Sequence, residues 1–119
     1  MGVWFVGDID YKCPSFFEPS EFGCNTEEYT HYFFHKSEID KIKSVIQKYK
    51  DLLEHFGIDV SEMYMDFFMN MGIDDIQRQW NLKYKDALKV YEYLYSFCFG
   101  REILYQVQEK GQCHFYLPA

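Results

Sequence analysis

The sequence predicts an α+β fold that is mainly helical. It would have a C-terminal β-hairpin and an N-terminal strand and loop extension. Three observations predict this. Apolar residues recur at helical spacing over much of 37–97. Beyond Gly100, two β-favouring runs, 103–108 and 112–117, flank the short turn Glu109-Lys110-Gly111. Before residue 36, short apolar runs are broken by Pro, Gly and acids. The expected division is an extension over 1–36 and a helical domain over 37–119.

Each element has its own signal. Val3-Trp4-Phe5-Val6 is β-favouring, and Gly7 marks a bulge. Residues 13–28 hold Pro14, Pro19 and Gly23 and read as loop with one turn of helix. Residues 30–35 are strand-like and would pair with 3–6. A helix over 37–56 starts at the cap Ser37, with Asp40 three residues on, and stops at Gly57. Its lysines lie largely off the apolar stripe. A second helix is expected from Ser61 to Gly72, carrying four Met that pack adaptably. A third starts at the cap Asp74 and presents Ile76 and Trp80 on one face. Asn81-Leu82-Lys83 reads as a turn, and a fourth helix runs over 84–97.

Composition bounds the function. The chain has 119 residues, 48% hydrophobic and 26% charged, which describes a globular domain. No apolar run approaches the roughly 18 residues of a membrane span. The first eight residues are neither basic nor long enough for a signal peptide. A cytoplasmic location is expected, with Cys13, Cys24, Cys98 and Cys113 as free thiols. Aromatic residues make up 21%, and the surplus of Tyr suits either a core or a partner surface.

The net charge of −7 argues against coating nucleic acid nonspecifically. The charge is uneven, however. Residues 57–77 hold five acids and no base, whereas 78–119 hold six bases and four acids. A surface that meets phosphates therefore belongs in the C-terminal third.

Three helices followed by a hairpin form the order of a winged helix-turn-helix. Within residues 74–95, Gln77, Arg78, Trp80, Tyr84 and Ala87 resemble the gamma domain of FtsK-type DNA translocases. In that family a Gln-Arg-aromatic segment ends the first helix, a Tyr opens the recognition helix, and an Ala lets the two pack closely. Asp86 and Tyr91 depart from the pattern, and residues 1–56 have no counterpart. The resemblance implies the fold, not the family's DNA sequence or its translocase partner.

The residues expected to meet double-stranded DNA are Arg78, Lys83, Tyr84, Lys85 and Lys89, with Lys110 at the hairpin tip as a wing contact. Gln77, Gln79 and Asn81 would reach base edges. The N-terminal strands and the long helix would serve as a dimer or partner surface. The function read from this is a DNA-associated regulator or accessory factor without enzymatic activity. No cofactor and no metal are expected.

A different class of function remains open. Small, acidic, aromatic-rich chains resemble phage and mobile-element proteins, including anti-CRISPR and other anti-defence inhibitors. On that reading Asp8, Asp10, Glu18, Glu21, Glu27 and Glu28 would mimic phosphates and bind a protein target. Two further groupings hold metal-ligating residue types. Cys13, Cys24, His31 and His35 contain zinc-ligand types but lack a tight Cys pair. Asp8 and Asp10 follow a strand, as metal-binding carboxylates do. No phosphate loop and no hydrolase motif is present.

Overall fold

The computed structural model describes residues 3–24, 31–61 and 63–118. Five strands are formed among these: β1 (Val3–Trp4), β2 (Val6–Gly7), β3 (Lys12–Cys13), β4 (His31–His35) and β5 (Gln112–Tyr116). Four helices accompany them: α1 (Ile39–His55), α2 (Met65–Phe68), α3 (Ile73–Trp80) and α4 (Tyr84–Lys110). The α+β class predicted from sequence is therefore observed. The chain divides into two compact units. One comprises Met1–Val45 with Glu102–Ala119, and the other Ile46–Arg101.

In the first unit the sheet order is β2-β5-β4, all antiparallel, and β1 pairs separately with β3. Alternation explains the pairing of β4 with β5. Tyr32, Phe34, Cys113 and Phe115 are buried, while His31, Phe33, His114 and Tyr116 between them are only half-buried. One face of each strand is thus apolar, and the two faces match in register, with Tyr32 opposite Phe115 and Phe34 opposite Cys113. Phe5 completes this core. It meets Phe17, Tyr32 and Phe115 edge to face, with centroids 6.3, 6.2 and 5.0 Å away.

The pairing corrects two expectations. Residues 31–35 pair with β5 and not with 3–6. The C-terminal hairpin is not formed, because 103–108 belong to α4, which runs for 27 residues. Ile103, Tyr105 and Val107 alternate like a strand, but the stronger period is four. Tyr95, Phe99, Ile103 and Val107 are all buried, and Tyr105 is exposed. Gly100 is a buried residue inside α4, not its end. The helix stops at Gly111, whose φ of +82° and N–H bond to the Val107 carbonyl form the turn into β5. The winged part of the expected fold, a hairpin with Lys110 at its tip, is thereby lost.

The second unit is helical. Gly57 terminates α1 with φ +77°, as its position suggested. The helix expected over 61–72 shrinks to α2, four residues long. Asp59 diverts the chain first, its carboxylate accepting the Ser61 N–H at 3.0 Å. Arg101 then donates to the carbonyls of Val60 and Met63 at 3.4 and 3.1 Å, and the Val60 carbonyl also accepts the Met63 N–H at 3.0 Å, closing a turn in place of a helix. Its guanidinium lies 4.4 Å from the Tyr64 ring. Phe68 packs against Tyr91 and Tyr95 of α4 at 5.1 and 6.2 Å. Residues 94–100 of α4 are buried on all sides, so this stretch is core and not an amphipathic surface.

Candidate nucleic-acid interface

α3 begins where the Asp75 carboxylate accepts the Gly72 N–H at 2.8 Å. The N-cap is therefore Gly72, with Asp75 as the third helical residue, and the cap expected at Asp74 lies two residues too late. The turn falls where expected. Asn81 adopts the left-handed conformation at φ +53°, and the N–H groups of Asn81 and Leu82 both return to the Gln77 carbonyl. Asn tolerates this region better than most residues. α4 then starts at Tyr84. Ile76 and Ala87, the inward residues on either side of the turn, are fully buried.

The outward side chains carry the charge. Lys83, Tyr84, Lys85 and Lys89 are exposed, Tyr84 at 59%. Lys85 and Lys89 stand one turn apart on α4. Among the described residues none of the three lysines has an ion-pair partner. They also sit in the first turns of a helix, where peptide dipoles add positive potential. Arg78 differs, pairing with Asp75 at 2.7 Å in an exposed contact. Such bridges contribute little and open readily. The same contact and the Gly72 N–H hold the Asp75 carboxyl below its usual range, the backbone bond being the larger cause. Asp74, Gln77, Arg78 and Asn81 line an open surface depression beside this edge.

Lys110 does not join the group. It ends α4 in the other unit, 3.8 Å from Asp8.

The acids expected to face a protein target are partly committed internally. Asp8 bonds His114 and Lys110. Glu18 caps a short 3-10 turn over Pro19–Phe22 by accepting the Ser20 N–H at 3.1 Å. Asp10 is exposed and Glu21 half-buried. Glu27 and Glu28 lie outside the described residues.

His31 and His35 stand on the same side of β4 but at its two ends, about 13 Å apart along an extended strand, too far for one ion. Cys13 and Cys24 are half-buried, and both thiols are pushed up to about 11, first by burial and then by Glu18. Among the described residues no group of three or more His, Cys, Asp or Glu side chains is placed to hold a metal ion.

One contact was not legible in the sequence. His31 meets His114 across β4 and β5. The only advance signal was the period-2 spacing of His31, Phe33 and His35 against Gln112, His114 and Tyr116.

The chain is thus an α+β protein whose second unit carries a short helix, a tight turn and a basic helix start. No helix among the described residues is long and apolar enough to cross a membrane. No family model, no curated protein and no solved structure matches the chain.

Proposed function

We propose that the chain is a non-enzymatic binding protein that grips double-stranded DNA through α3, the turn at Asn81 and the start of α4. One observation carries the reading: Lys83, Lys85 and Lys89 are exposed together around a helix N-terminus, with no carboxylate partner among the described residues. Uncompensated lysines lose little on meeting phosphates, and releasing counterions favours the contact. Arg78 adds a fourth contact once it leaves Asp75. Gln77, half-buried, and Gln79 and Asn81, both exposed, supply groups for base edges. The wing is no part of this reading.

The test is fluorescence anisotropy with random duplex DNA at about 50 and 200 mM salt, since phosphate contacts weaken steeply over that range. Binding at low salt that falls at high salt is expected, together with its loss in the Lys85→Glu, Lys89→Glu double variant. Binding that survives the double variant refutes the interface.

A protein target is the second reading. The observation favouring it is the exposure of Tyr64, Phe67 and Met69 in the second unit, side chains of the kind that anchor interfaces. A chain that ignores DNA at low salt but loses capture of a host protein on Phe67→Ser follows this second reading.

A further inference from the structure

On the outward side of the sheet in the first unit, His31 of β4 and His114 of β5 meet. His31 Nδ1 lies 3.2 Å from His114 Nε2. The direct cross-strand pairs are His31 with Tyr116 and Phe33 with His114, so the imidazoles are diagonal neighbours. Their planes differ by 13°. Phe33 stacks on His114 with centroids 4.1 Å apart and planes 3° from parallel, and Tyr116 flanks His31 at 5.1 Å. Phe33 and Tyr116 thus flank the two imidazoles. With centroids 5.4 Å apart and planes nearly parallel, the two rings meet edge to edge through these nitrogens.

Facing ring nitrogens have two uses. Without a ligand, one imidazole donates its N–H to the other. With a metal ion, both lone pairs turn to the ion. Two Zn–N bonds of about 2.0–2.1 Å across this gap would enclose an angle of about 100°, close to tetrahedral. Neutral imidazoles suit the borderline dications of the first transition row, with Cu²⁺ and Zn²⁺ bound more tightly than Mn²⁺. Both histidines are half-buried and open to solvent. The His114 backbone is fixed from behind by Asp8, which accepts its N–H at 2.8 Å. The acidic net charge of −7 raises the local concentration of dications. Beyond these two nitrogens, the remaining coordination positions fall to water or further donors.

We infer that His31 and His114 form a two-histidine site for a borderline transition-metal dication of the Zn²⁺ or Cu²⁺ class, separate from the basic edge of α3 and α4. The test is calorimetric titration of the full chain with ZnCl₂ and with CuCl₂. Saturable uptake of one equivalent is expected. It is lost in His31→Gln and in His114→Gln and kept in His35→Gln. A strand substitution can unsettle the sheet, so the wild-type chain supplies a second measurement. In imidazole ¹⁵N spectra, zinc should shift Nδ1 of His31 and Nε2 of His114 and leave His35 and His55 in place. Absence of saturable uptake, uptake retained by both single variants, or shifts confined to other histidines overturns the inference.

Discussion

Asp8 and His114 bond each other twice. The Asp8 N–H donates to the His114 carbonyl at 2.9 Å, and the Asp8 carboxylate accepts the His114 N–H at 2.8 Å. The side chain thus replaces the backbone acceptor that would continue the ladder of β2 and β5. The other carboxylate oxygen lies 3.8 Å from Lys110 Nζ. An acid read from sequence as a partner contact is here a clasp between the two ends of the chain.

Removing the clasp leaves the His114 N–H without its acceptor. Asp8→Ala should cost about 1–3 kcal/mol, the penalty for an orphaned, partly buried donor. Asp8→Asn keeps a carbonyl acceptor in place and should cost less. Urea unfolding of the two variants checks both the loss and the ranking.

Gly7 precedes this clasp and explains how β2 approaches β5. Its φ is +126°, and a Cβ there would lie 2.7 Å from the His114 carbonyl oxygen and 3.0 Å from the Phe115 Cα. Both obstacles are backbone, so neither can swing aside. Gly7→Ala should destabilise by at least about 1–3 kcal/mol, from strain alone before the clash is counted. By contrast, Gly57→Ala has the strain of φ +77° but open space around it, and should cost less. Parallel thermal melts of the two variants measure the difference.

The first unit should unfold in alkali. Cys13 and Cys24 are pushed from 9.0 up to about 11, by burial and then Glu18. Tyr32 is pushed up to about 12 by burial, with Glu18 next. Cys113 also rises to about 12, chiefly by burial, with Asp8 adding to it. Raised values mean that the folded chain holds these protons more tightly than the unfolded chain. The stability they contribute is complete below about pH 9 and is lost as pH climbs through 11 to 12. Urea midpoints should therefore hold steady to about pH 9 and fall beyond it. At pH 8, alkylation of Cys13 and Cys24 in the folded chain should run about a hundredfold slower than that of an unfolded thiol, since only the thiolate reacts. Equal rates in folded and urea-unfolded chain contradict the burial of these groups.

Local signals in the sequence survived, and non-local ones did not. α1, its stop at Gly57, α3, and the turn at Asn81 depend on neighbours a few residues away, and all were legible. The neighbourhood of Lys85 and Lys89 on α4 is equally local, because their spacing of four residues puts them one turn apart. The hairpin failed because 103–108 satisfy two periods at once, and the helix buries Ile103 and Val107, four residues apart, while exposing Tyr105. Strand partners failed for a deeper reason. β4 meets β5 some 80 residues along the chain, and nothing within either strand names the other. The His31–His114 contact, separated by 83 positions, depends on that register. Asp8 is the same case: its acidity was visible, but its partner was not.

Lys110 separates the two accounts of the basic residues. A hairpin tip would have placed it as a wing contact, and Lys110→Glu would then have weakened DNA binding along with the helix variants. In the structure Lys110 closes α4 beside Asp8, and the basic edge at Lys83, Lys85 and Lys89 is at the helix's opposite end. On the proposed reading, Lys85→Glu should reduce the slope of log affinity against log salt by about one, the share of one phosphate contact. Lys110→Glu should leave that slope unchanged, while facing Asp8 with a like charge and lowering stability. The pair of readouts is decisive because the two effects run in opposite columns: slope without stability for Lys85, stability without slope for Lys110. A slope that falls on Lys110→Glu returns the C-terminal end of α4 to the DNA surface and requires the interface to be redrawn.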